Sequence, residues 1–172
     1  APYSFTNKKN KFVGVAPDLL ALIEKRLDIR FTPVPGLSWP EIVDGAKQRQ
    51  LDVIATAVIT EERKQFLNFS QIYIPTPLVI MARTDDPRIK DRRDLDKRKV
   101  ALVEGYSSSQ QVIKEFPGIR PLMVATPLEG LRAVATAEAD AYVGVLGINA
   151  YLTSQHGIGN LKVAARYNVE TN

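Results

Sequence analysis

Hydrophobic positions recur along this chain at two periods, one helical and one strand-like, and the two alternate. Ala16, Leu19, Leu20, Ile23 and Leu27 return at helical spacing, with Pro17 where a first turn tolerates proline, so an amphipathic helix is predicted there. A β-like run from Ile29 to Val34 and a Pro35-Gly36 turn come next. Ser38 and Glu41 have capping-box spacing ahead of Ile42, Val43 and Ala46, which marks a second helix. Leu51-Asp52-Val53-Ile54-Ala55 is a short β-branched run between polar residues and reads as a buried strand. Thr60, followed by Glu61 and Glu62, reads as an N-cap with acids in the first turn of a short helix ending near Phe66.

Leu78 to Ala82 is strand-like and leads into a charged stretch, beyond which the alternation restarts. Strands are predicted at Val100 to Val103, Leu122 to Val124, Ala141 to Val145 and Leu161 to Ala164. Helices are predicted from about Ser108 to Phe116, after Thr126-Pro127-Leu128-Glu129, and around Ile148 to Gln155. Alternating strands and helices argue for parallel α/β sheets with right-handed crossovers. The two halves echo each other at Leu51-Asp52-Val53-Ile54 and Ala139-Asp140-Ala141-Tyr142. The expected organisation is lobe 1 over residues 1–82, a hinge and charged linker over 83–99, and lobe 2 over 100–172. Ligands in such sheets bind outside the carboxyl ends of the strands, and two facing lobes would put that crevice between them.

Length and composition narrow the chemistry. A chain of 172 residues, 45 % hydrophobic and 24 % charged, can bury a core without staples. No apolar run approaches the ~20 residues of a membrane helix. The first residues, Ala1 to Phe5, have neither a charged start nor an apolar region, so no targeting segment is read there. Zero cysteines remove disulfides, thiolate nucleophiles and cysteine-ligated zinc, and the single histidine, His156, removes most triads and histidine metal sites. The net charge of +4 sits almost wholly in residues 83–99, where eight Lys/Arg face five Asp. Their signs interleave and no aromatic stands among them, so a solvated linker is expected and no nucleic-acid partner.

The stretch Thr56-Ala57-Val58-Ile59-Thr60-Glu61-Glu62-Arg63 places a helix start and a guanidinium just after a predicted strand, a combination suited to a carboxylate. On position alone, Arg63 either binds such a ligand or pairs with Glu62 as an ordinary helix salt bridge. Trp39, the only tryptophan, is either a stacking wall or a core anchor. Gly105-Tyr106-Ser107-Ser108-Ser109 offers more hydroxyls than one helix cap requires. Ser107 to Ser109 lack a Gly-x-Ser-x-Gly setting, and His156 reads as an exposed residue at a helix end. Glu61-Glu62 and Asp85-Asp86 are neighbours that point different ways, and no phosphate loop or Gly-x-Gly-x-x-Gly is present.

These residues, in order, resemble the family-3 bacterial extracellular solute-binding proteins, which have the two-lobed Venus-flytrap fold. The likeness is carried by Ala1-Pro2-Tyr3-Ser4-Phe5, Gly14 to Leu20, Trp39 ahead of Leu51, Asp52-Val53-Ile54, Ile59-Thr60-Glu61-Glu62-Arg63, Phe69-Ser70-Gln71-Ile72-Tyr73 and Ala139 to Val143. The resemblance implies an α/β, type II periplasmic-binding-protein fold, each lobe a sheet flanked by helices. It implies that Arg63 grips a ligand carboxylate, that Trp39 packs a face on the ligand, and that Tyr106, Ser107 and Ser108 close from lobe 2. Tyr3, Thr56 and Val58 complete the candidate set.

Val58 stands where the family usually supplies a hydroxyl, and Gly144 or Val145 where it usually supplies an acid for the ligand's ammonium. An amino acid and a carboxylate without an amino group therefore both stay open. The segments that begin and end typical members are absent from this sequence, so the chain is expected to be truncated at both ends.

Val103 to Ser107 and Ala150 to Ala164 are most similar to periplasmic sensor domains of histidine kinases and diguanylate cyclases. The implied function is periplasmic binding of a small carboxylate-bearing solute within a signal-transduction protein, with no cofactor, no metal and no catalysis by the domain itself. Its partner is a membrane-anchored signalling protein in cis or, for a free receptor, a transporter in trans. A dehydratase on the same fold is the third reading, with Glu104 the only acid/base candidate.

Overall fold

The computed structural model describes residues 2–7, 9 and 11–167. The chain divides into two compact units, residues 1–71 and 72–172, the last five residues lying outside those described.

In the first unit, β1 (Phe5–Thr6) and β2 (Phe12–Val13) pair antiparallel, with Phe5 opposite Val13. The connecting turn is organised by Asn7, whose Oδ1 accepts the backbone N–H groups of Lys9 and Lys11 at 2.9 and 3.0 Å. Gly14 then has φ 123°, and a Cβ there would stand 2.6 Å from the carbonyl oxygens of Pro2 and Tyr3. Only glycine fits that approach. Tyr3 in turn accepts the N–H of Ala16, 2.9 Å away, at the start of α1 (Val15–Leu27). In α2 (Trp39–Lys47) the predicted box is present through its acid: Glu41 accepts both the N–H and the hydroxyl of Ser38, at 2.7 and 2.6 Å. In α3 (Glu61–Lys64), Thr60 accepts the Arg63 N–H at 3.2 Å, as its N-cap position predicts.

Two sequence expectations differ here. Residues 29–34 and 51–55 carry no backbone ladder among the described residues, and Val34 and Val53 are exposed. A β-branched run supplies the propensity for a strand, but a strand also needs a partner edge to close its hydrogen bonds.

The second unit is built on one five-stranded sheet in the order β5-β4-β6-β3-β7: β3 (Leu78–Arg83), β4 (Lys99–Val103), β5 (Arg120–Val124), β6 (Ala141–Val145) and β7 (Leu161–Arg166). Residues alternate between two buried faces with period two. Ile80, Val100 and Leu102 pack with Val112 of α4 (Ser107–Glu115) on one side. Val79, Ala101 and Tyr142 pack with Leu131 and Val134 of α5 (Pro127–Ala135) and Leu152 of α6 (Leu146–Gln155) on the other. Pro121 sits on the edge strand β5, where a missing N–H costs no ladder bond and discourages pairing with another chain.

The sheet corrects two readings. Its β4 runs parallel to β5 and β6, but β3 is antiparallel to both β6 and β7, so the sheet is mixed. The strand Leu78–Arg83, assigned from sequence to lobe 1, lies near the middle of this second sheet, and the division between units falls at 71/72.

Residues 83–99 are therefore a folded part of the second unit. Ile89 and Leu95 are buried in its core, which anchors the stretch. Its acids cap the 3-10 helix Arg92–Leu95: Asp91 accepts the Arg93 N–H at 3.0 Å, and Asp94 accepts those of Lys90 and Asp91 at 2.9 Å. Charge density alone hides such anchoring, because two apolar residues among seventeen set the fold of the segment.

Candidate functional site

Arg63 is the centre of the first unit's candidate site. The short helix α3 presents it from its first turn, and the residue is only 7 % exposed. Its Nη1 donates to the Val58 carbonyl at 2.9 Å, and its guanidinium carbon lies 4.9 Å from the centroid of the Trp39 ring. Among the described residues no carboxylate lies within ion-pair distance of it. Glu62, the expected surface partner, instead meets Lys47 at 3.6 Å, and Glu61 pairs with Lys64 at 2.7 Å. Burial lowers the pKa of Arg63, opposed by the negative field of Glu62. A guanidinium starts so high that it remains a cation.

The arrangement has a clear chemical meaning. A buried cation is unfavourable unless paired, and a ring face and one carbonyl compensate it only in part. The side chain retains further N–H donors in the fork geometry that matches a carboxylate. The face of the Trp39 ring is taken by a side chain of the same unit, the Arg63 guanidinium. Ser38 and Glu41 hold the start of α2, and with it Trp39 at its first position.

Thr56 is half-buried and Val58 exposed at 43 %. Sequence reading treats Val58 as a lost hydroxyl, but its backbone carbonyl holds Arg63, a role that side-chain identity does not reveal. Tyr3 is half-buried; its carbonyl supports α1, and burial raises the pKa of its phenol. Thus Arg63, Trp39 and Val58 are brought together. Tyr3 and Thr56 share no hydrogen bond with Arg63 among the described residues.

In the second unit, Tyr106, Ser107 and Ser108 form the N-cap and first turn of α4, directly after β4. All three are half-buried, and Tyr106 packs against the cluster containing Leu131 and Tyr142. No side chain caps α4 and no acid stands in its first turn. Of the three consecutive serines, Ser109 is consumed internally: it is 3 % exposed and its hydroxyl donates to the Val103 carbonyl at 2.7 Å. Ser107 and Ser108 remain as the available hydroxyls.

The other titratable residues have different partners. His156 is exposed at the end of α6. Asp85 meets Arg83 at 3.3 Å, while Asp86 pairs with Arg88. Glu104 is exposed. Among the described residues no group of three or more His, Asp or Glu could hold a metal ion. A groove of about 500 Å³ between β5 and α5, lined in part by Leu122, Met123, Glu129 and Arg132, contains none of the candidate residues.

Comparison with known proteins agrees with this picture. The model of the bacterial extracellular solute-binding proteins, family 3, matches residues 1–159, and the chain belongs to that family. It is 24 % identical over 143 residues to the sensor protein EvgS of Escherichia coli K12, covering 83 % of this chain and 12 % of EvgS. It is 28 % identical over 145 residues to the probable amino-acid-binding protein YxeM of Bacillus subtilis, covering 82 % of this chain and 54 % of YxeM. Among solved structures, the periplasmic VFT2 domain of Bordetella pertussis BvgS superposes with a TM-score of 0.85 at 24 % identity, covering 98 % of this chain and 72 % of that one. The chain thus spans about half or less of these curated relatives.

Proposed function

We propose that this chain is the ligand-binding part of a periplasmic sensor and that it binds a small carboxylate-bearing solute, an amino acid or an organic acid. One observation carries the reading: Arg63 is buried, stacked on Trp39, and unpaired with any carboxylate of the described chain. An incoming carboxylate supplies the missing counter-charge through two parallel hydrogen bonds, a contact of about 1.5–3 kcal/mol when shielded from water. Likeness to EvgS and to the BvgS domain supports a signalling role. In that role the solute shifts a conformational population by binding one state more tightly than another, and a membrane-anchored module in cis reads the shift. The domain itself binds without catalysis.

The test is a thermal-shift screen of the intact protein against amino acids and organic acids. At least one should raise the melting temperature with concentration, following RT ln(1 + [L]/Kd). A panel that leaves the transition unmoved overturns the reading. The likeness to YxeM favours a second reading, a free receptor delivering its solute to a transporter. Binding would be the same, but a membrane-anchored output module would be lacking. A dehydratase acting through Glu104 would reveal itself by turnover of the bound acid.

A further inference from the structure

In the first unit, α2 on one side and α3 with the turn after it on the other each give a cation and receive one. α2 opens with Trp39 and ends with Lys47, while Arg63 lies in α3 and Phe66 follows its C-cap, Gln65. The Arg63 guanidinium carbon is 4.9 Å from the centroid of the Trp39 ring, and the Lys47 ammonium is 5.1 Å from the centroid of the Phe66 ring. Lys47 Nζ also meets Glu62 Oε1 at 3.6 Å. The two cation–π contacts are therefore reciprocal. Reversing α3 along α2 would bring Arg63 toward Lys47 and set two like charges together, so the pattern specifies a direction as well as a contact.

The placement of α3 depends on such contacts. It has four residues, too few to hold a helix by backbone bonds alone. Its cap at Thr60 and the bond from Arg63 to the Val58 carbonyl are local, made within five residues of chain, so they shape the turn without fixing it against α2. Lys47 reaches across from the far end of α2, about 12 Å along the axis from Trp39. It grips Glu62 and Phe66, on either side of Arg63 in sequence. Each grip is modest, as exposed ion pairs and exposed cation–π contacts are, but a helix with little stability of its own is placed by modest contacts.

We propose that Lys47 is a positioning residue: it holds α3 so that the Arg63 guanidinium stays seated on Trp39. The value of that seat to a solute rests on the carboxylate reading above; the seating itself does not. A guanidinium fixed before a solute arrives loses less freedom on binding.

Emission of Trp39, the only tryptophan, reads the seating with no solute added. In the intact protein at physiological ionic strength, Arg63→Ala sets the emission of the indole without this cation. Lys47→Met keeps the aliphatic stem, removes the charge, and should move the emission in the same direction by a smaller amount. Lys47→Arg should keep the wild-type spectrum, and in an Arg63→Ala background Lys47→Met should change nothing further. Phe66→Leu removes the ring that Lys47 grips and should act like Lys47→Met, which keeps the test decisive where one variant fails to fold. A wild-type spectrum from Lys47→Met and Phe66→Leu, a spectrum that Lys47→Arg fails to keep, or an equal shift in the Arg63→Ala background overturns the proposal. Solute binding enters none of these readings, so their failure is distinct from that of the ligand screen.

Discussion

The guanidinium of Arg63 lies 4.9 Å from the centre of the Trp39 ring, and these two residues come from the starts of different helices, α3 and α2. The contact places a fixed cation on the only indole in the chain. It makes the candidate site both a charge receptor and its own optical probe.

The first prediction uses that probe. A solute that engages Arg63 alters the field at Trp39, so saturable changes in tryptophan emission should follow the addition of any ligand found by thermal shift. Arg63→Ala should change the emission of the unliganded protein and abolish the response to ligand. An unchanged response in that variant would detach Trp39 from the site.

Ser108→Ala and Ser107→Ala remove one hydroxyl each from the first turn of α4. If these hydroxyls bond a solute, each substitution should weaken its binding by about 0.5–1.5 kcal/mol while leaving the melting temperature of the free protein within a degree or so. Ser109→Ala should do the reverse: its hydroxyl bonds the Val103 carbonyl inside the fold, so the loss appears in stability. Calorimetric titration and thermal melts of the three variants separate the two roles.

Gly14→Ala should destabilise the first unit by more than 2 kcal/mol, about the sum of a positive-φ penalty and a Cβ forced against two carbonyls. Amide exchange should report the loss at β1, β2 and the start of α1, with β4 and β6 protected as before. Uniform loss across both units would contradict the assignment of this strain to one of them.

The pair formed by Asp86 and Arg88 predicts a pH dependence. Asp86 is 4 % exposed, and Arg88 bonds its carboxylate at 2.8 and 2.6 Å while also reaching Asp140 at 3.0 Å. Hydrogen bonds from Arg88, opposed by desolvation, hold the Asp86 carboxyl far below the usual carboxylate range. A carboxyl depressed on folding stabilises fully above its unfolded pKa of about 3.9 and loses that contribution as pH falls toward its folded value. Stability should therefore decline below about pH 4, and Asp86→Asn should flatten that part of the profile. Parallel profiles for wild type and variant would remove Asp86 from the account.

The second unit was the more legible half of the sequence, for a physical reason. Strands such as Ala141–Val145 are buried on both faces, so their apolar runs are continuous, and Thr126-Pro127 with Glu129 announces its helix through its own hydrogen bonds. Leu51 to Ala55 has a similar apolar character but no ladder among the described residues, because propensity cannot supply the partner edge. Strand direction was equally hidden: nothing in Leu78–Arg83 says that it runs against β6. At the site, the guanidinium and the indole were readable as residue types at suggestive positions. Their stacking and the choice of Lys47 as the partner of Glu62 were not, since both depend on where α2 lies beside α3.

The central claim is that Arg63 awaits a carboxylate. Calorimetric titration of the best ligand from the screen into intact wild-type protein and into Arg63→Ala tests it most directly. The account predicts a dissociation constant at least about tenfold weaker in the variant, corresponding to roughly 1.4 kcal/mol or more. Equal affinity in the two proteins would contradict it.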